Sequence, residues 1–168
     1  AFAADSSNCE PYNDLGFLYM KRREYARAAE MYEKRISCEP GAVSAYLNAG
    51  ASYMALVGKG NDREELLAHA RDVLVRAKKL DPDHPVIRFR LAQYYSLVDS
   101  LDLAKQEYEA IIKTASAQPA RYRKELGEAY MQLATYHSFK KQPAIAVQHF
   151  SKALAAKYEN DVMQLNWG

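Results

Sequence analysis

Cysteine is nearly missing from this 168-residue chain, which holds only two. Two cysteines cannot by count alone define a disulfide framework. Glycine (7) and proline (6) are sparse, too few for the many tight turns of an all-β fold. Neither sign of charge dominates, since 23 Lys and Arg stand against 21 Asp and Glu, for a net charge of +2. So small a net charge supplies no global field for nucleic acid or an anionic membrane, and a nucleic-acid partner is not expected. No apolar run approaches the roughly 18–20 residues that would span a bilayer. Histidine is limited to His69, His84, His137 and His149, with no H-E-x-x-H, C-x-x-C or H-x-x-x-H spacing. The serines have no G-x-S-x-G context. These absences predict a chain with no catalytic activity of its own, no metal and no cofactor. What is present is 49% hydrophobic and 26% charged residues, a globular composition. Thirteen tyrosines against five phenylalanines and one tryptophan suggest one recurring structural role for tyrosine.

That role emerges from an internal period. Gly16 and Gly50 lie 34 residues apart, as do Tyr19 and Tyr53, Ala70 and Ala104, and Leu74 and Tyr108. Within each period the pattern is helical. Tyr25, Ala28, Ala29, Tyr32 and Ile36 share one face, and Leu101, Ala104, Tyr108 and Ile111 repeat the arrangement. Pro40 and Pro82 follow such helices, where proline cannot continue them. Each unit therefore reads as helix–turn–helix. Glycine or alanine on the first helix admits a bulky side chain from the second.

The period and its residues resemble the tetratricopeptide repeat family. The first unit supplies Tyr12, Leu15, Gly16 and Tyr19, then Tyr25, Ala28, Tyr32 and Pro40, with Arg35 where the family has alanine. The second supplies Tyr46, Ala49, Gly50 and Tyr53, then Ala70, Leu74, Ala77 and Pro82. The third has Leu91, Ala92, Tyr95, Ala104, Tyr108 and Ile111; the fourth has Tyr130, Leu133, Ala134, His137, Ala146, Phe150 and Ala153. His137 holds a tyrosine position and reads as a packing residue. The resemblance implies an all-α fold, a right-handed superhelical array of antiparallel helix pairs with about four repeats. These fall at about 9–42, 43–84, 85–118 and 120–160, after a leader over 1–8 and before a tail over 161–168. The tail carries Val162, Met163, Leu165 and Trp167, which would form a partial cap or dock on a neighbouring molecule.

Two intervals depart from the period. Ala28 to Ala70 and Ala104 to Ala146 are each 42 residues. The first excess falls at Gly58-Lys59-Gly60-Asn61-Asp62, read as a loop with Asp62 capping a longer helix. It lacks the spacing and the preceding strand of a phosphate loop. The second excess reads as a helix lengthened at its start, running from Arg121 to Phe139.

In the family alignment Cys9 opens the first helix and Cys38 ends the second, so antiparallel pairing makes a disulfide plausible; two unpaired thiols are the alternative. Closing such a loop would add roughly 3–4 kcal/mol in the chain-entropy account. Ala1-Phe2-Ala3 has the small-residue pattern that ends a secretory signal, as a trimmed precursor would show; a cloning boundary gives the same residues. Both features point to an exported, periplasmic or extracytoplasmic protein, with a cytoplasmic one as the alternative.

The resemblance implies a recognition groove lined by the first helix of each pair. Its positions here are Asn13, Asp14, Phe17 and Met20, then Leu47, Asn48, Ala51 and Met54. They continue with Val86, Phe89, Arg90, Gln93 and Leu97, and with Met131, Gln132 and Thr135. Only Asn48 and Arg90 match the family's clamp for a chaperone's C-terminal carboxylate, which argues against that ligand. A local basic patch of Arg88, Arg90, Arg121, Arg123 and Lys124 reads mainly as a solvated surface. The expected function is a non-catalytic scaffold that binds a peptide or helix of a protein partner, in assembly or maintenance of an envelope complex. The alternative is a carrier or sensor of a small apolar or acidic ligand in the same groove.

Overall fold

The computed structural model describes residues 8–57 and 62–165, with side chains described as far as residue 156. Among the described residues there are eight helices and no strand. They are α1 (Glu10–Lys21), α2 (Tyr25–Cys38), α3 (Val43–Leu56), α4 (Arg63–Leu80), α5 (Pro85–Leu97), α6 (Leu101–Ala115), α7 (Arg123–Phe139) and α8 (Pro143–Leu165). The chain falls into two compact units that meet in sequence at Pro82 and Asp83, so α1–α4 form one and α5–α8 the other. Each unit holds two helix pairs. The first helix of each pair is called A (α1, α3, α5, α7) and the second B (α2, α4, α6, α8).

The small-against-large rule is visible atom by atom. A Cβ at Gly16 would lie 2.7 Å from the ring of Tyr32, and one at Gly50 would lie 2.8 Å from Leu74. Ala92 and Ala134 take the same position in α5 and α7, both fully buried. The partner alanines Ala28, Ala70, Ala104 and Ala146 are buried as well. Close approach of this kind lets tyrosine and leucine fill the space between helices at crystal-like density. In the second unit, Phe89, Ala92, Ala104, Tyr108, Ile111, Leu126, Ala129 and Leu133 form one core cluster.

The turn within a pair repeats too. Arg23, Asp99 and Lys141 have φ of 60°, 57° and 57°. The next amides, Glu24, Ser100 and Gln142, donate back to the carbonyls of Tyr19, Tyr95 and His137. That is a left-handed cap in which glycine usually sits, here built three times without it. The equivalent of Arg23 in the second pair is Val57, with an ordinary φ of −58°, and the inserted residues 58–61 follow it.

Cys9 and Cys38 are joined by a disulfide with a Cα–Cα distance of 5.9 Å. Beside it, the largely buried Arg35 pairs with Glu10 at 2.9 Å and Glu39 at 2.7 Å. The residue that breaks the family pattern thus fastens the same helix ends as the disulfide.

Several sequence expectations need correction. Asp62 does precede α4 but makes no side-chain capping bond. The long A helix starts at Arg123, because Gln118 accepts turn bonds from Arg121 and Tyr122. Leu15 is 41% exposed and Leu101 38%, although the family resemblance gives the first a signature position and the helical period puts the second on a packing face. The leader through residue 7 and the tail from residue 166, including Trp167, lie outside the described residues.

Candidate functional site

The face expected to recognise a partner is built from the A helices. In the first unit, Asn13 and Phe17 lie one turn apart on α1, which places them on the same side. Phe17 is 54% exposed, and the Lys21 ammonium sits 5.2 Å from its ring centre. Met20 is half-buried; its Sδ accepts from the Ser52 hydroxyl at 3.1 Å, which ties α1 to α3. On α3, Leu47, Asn48, Ala51 and Met54 are all half-buried at helical spacing. The Asn48 carbonyl also accepts from Ser52, at 2.8 Å. This face therefore mixes apolar side chains with two amide side chains.

In the second unit the expected residues separate. Phe89 is only 8% exposed and belongs to the core cluster, so it is corrected from a groove residue to a packing residue. α5 is apolar on several sides at once, with Ile87, Phe89, Leu91, Ala92 and Tyr94 all buried, and a one-sided reading of it fails. Arg90 and Gln93 do lie together. The Arg90 guanidinium donates through Nη1 to Gln93 Oε1 at 2.9 Å, while its buried Nε has no partner. Burial pulls the Arg90 pKa down, and Glu125 on α7 opposes that shift. On α7, Met131 is 43% exposed, and Gln132 donates to Glu128 at 2.8 Å. Thr135, which is exposed, donates its hydroxyl to the Met131 backbone carbonyl at 3.1 Å.

The basic patch disperses. Arg88 points to the other side of α5, where it pairs with Asp83 at 2.8 Å and Glu107 at 3.0 Å. Arg121 lies over the Tyr122 ring. Arg121, Arg123 and Lys124 instead border a cavity of about 510 Å³, together with Gly127, Met131 and Ala156.

Other ionisable groups are structural. Tyr53 donates to Glu33 at 3.3 Å, and burial followed by the Glu33 charge pushes its pKa up to about 12. His137 and His149 stack across α7 and α8 with ring centres 5.4 Å apart, and His137 Nδ1 lies 2.7 Å from Gln142 Oε1. Among the described residues no group of three or more His, Cys, Asp or Glu could hold a metal ion. No described helix is long and apolar enough to cross a membrane.

No family model matches the sequence, and no curated protein matches it. Solved structures align along most of the chain. The crystal structure of MamA aligns at a TM-score of 0.74 and 23% identity, over 94% of this chain and 83% of that one. A thermophilic TPR protein of Thermus thermophilus gives 0.73 and 18%, over 95% and 79%. The C-terminal part of a TPR repeat-containing protein from Cytophaga hutchinsonii gives 0.74 and 21%, over 90% and 57%. At these identities the likeness is one of fold.

Proposed function

We propose that this chain, whose fold is the tetratricopeptide repeat, is a non-catalytic scaffold that binds a peptide or helix of a protein partner on its A-helix faces. Arg90 anchors an acidic side chain of that partner. The observation that carries this reading is the state of Arg90, a half-buried cation spent on a neutral amide, with one buried N–H unused. Among the described residues it makes no ion pair, although Glu125 contributes a favourable charge. A buried cation gains from a carboxylate that completes its bonds. Such a bond is worth about 1.5–3 kcal/mol, or roughly 10- to 150-fold in affinity. Phe17, Leu47 and Met54 supply apolar contact on the first unit's face, and Asn13 and Asn48 supply amide side chains there.

A photo-reactive side chain at Met131 tests this. A captured partner should be joined through an acidic segment, and Arg90→Ala should abolish capture. Unchanged capture with Arg90→Ala would refute the anchor.

Assembly or maintenance of an envelope complex, outside the cytoplasm, belongs to the same proposal. Its support is the Cys9–Cys38 disulfide, which persists in oxidising compartments. Fractionation of the native host tests it. A second reading, a carrier of a small acidic ligand, is favoured by the cavity beside Arg121 and Lys124. Native mass spectrometry of freshly purified protein would reveal such a molecule as a retained mass.

A further inference from the structure

The A helices share one register. Pro11, Leu15 and Leu18 of α1 correspond to Ala45, Ala49 and Ser52 of α3, 34 residues on, and to Ala129, Leu133 and Tyr136 of α7, 118 residues on. α3 packs against α2, and α7 against α6. Ala45, Ala49, Ser52, Ala129 and Leu133 are all buried. On α1 the same face is open, with Leu15 41% and Leu18 55% exposed.

Three B helices, α2, α6 and α8, show the reciprocal pattern. Ala29 and Ile36 of α2 correspond to Lys105 and Ile112 of α6, and to Val147 and Leu154 of α8. Ala29 and Ile36 are buried, and Ile112 packs against the core cluster. Val147 and Leu154 are 63% and 54% exposed. Among the described residues the chain thus carries, exposed, both halves of an interface that it uses internally.

The two open faces also fit each other. Where α6 meets α7, Tyr136 donates to Asp102 and the Lys105 ammonium lies 5.9 Å from the Tyr136 ring centre. The register equivalents on the open faces are Leu18 for Tyr136, Ala144 for Asp102 and Val147 for Lys105. The polar pairing is replaced by apolar side chains on both sides together. A change on one side alone would set a polar group against an apolar one, at a desolvation cost.

We propose that α1 of one copy packs on α8 of another, so that copies associate head to tail. The occupant of each open face is a second copy of this chain, and the contact is heterologous, repeating from copy to copy. This inference does not rest on the partner-binding reading above.

Analytical ultracentrifugation from about 1 to about 300 µM protein tests it by mass action. The mean mass of the 168-residue chain should rise with concentration. Leu18→Asp and Val147→Asp should each weaken association at least about tenfold, since each buries an unpaired charge. An equimolar mixture of the two variants should form a dimer and stop there, because each contributes one intact face. Both sites are more than half exposed, so folding should be preserved, as circular dichroism will check. Leu15→Asp and Leu154→Asp provide a second pair. A chain that stays monomeric throughout overturns the proposal. So does a mixture that stays monomeric, or a single variant that assembles like the parent.

Discussion

Three glycines within helices should respond to alanine with opposite signs. A methyl group at Gly16 meets Tyr32 at 2.7 Å, and Tyr32 is only 1% exposed. The ring would have to retreat by roughly 0.8 Å to reach ordinary carbon–carbon contact, within a packed interior. Overpacking of this kind costs about 1–3 kcal/mol, while replacing a mid-helix glycine returns about 1 kcal/mol. Gly16→Ala should therefore destabilise by up to about 2 kcal/mol. Gly50→Ala should do the same against Leu74. At Gly127 the nearest atom, the Ala156 Cβ, is 3.6 Å away, an ordinary contact. There only the helix term remains, and Gly127→Ala should stabilise by about 0.5–1 kcal/mol. Urea unfolding followed by helical circular dichroism reads both, as does a melting shift of about 2–4 °C per kcal/mol. A Gly16→Ala protein stabilised as much as Gly127→Ala would refute the small-against-large account of the helix pairs.

Reducing the Cys9–Cys38 bond should lower the stability of the first unit by about 3–4 kcal/mol, measured by unfolding with and without reductant. Asp99→Gly and Lys141→Gly should each stabilise by about 0.5–1 kcal/mol in the same assay, because glycine adopts positive φ at less cost. Tyr53, whose pKa is pushed up to about 12, contributes stability that is fully present below pH 10 and is lost as pH rises towards 12. Ultraviolet titration of Tyr53→Phe should lack one late-ionising tyrosine. His149 has its pKa lowered by burial, then by His137 and Lys152, so it binds its proton more weakly folded than unfolded. Stability should therefore fall as pH drops through 6.5, an effect that His149→Gln should diminish in pH-dependent melting.

The fold was legible because its determinants are local and repeated. Gly16 with Tyr32 and Gly50 with Leu74 are spacing relations, and spacing survives in a bare sequence. The left-handed caps were not legible. Arg23, Asp99 and Lys141 carry no mark of positive φ, and the bonds that hold them close only once the pair has formed. Phe89 was misplaced because α5 is covered on several sides, so the helical period cannot say which apolar side chain faces outward. Arg90 and Gln93 meet because a residue and the one three further on share a helix face. The state of Arg90 could not be read, because desolvation depends on neighbours distant in sequence. Leu15 and Leu18 illustrate a different blindness: a repeat motif states which face seeks a neighbour without stating whether one is present.

The covalent link across the first helix pair has a mechanical consequence. Between Cys9 and Cys38 lie 29 steps of chain that tension on the ends cannot extend. A stretched molecule should come up short by roughly 100 Å of contour length, which reappears when a reductant is added. Any machine that threads the polypeptide through a narrow pore would meet a closed loop there, and would have to pass a doubled strand or wait for reduction.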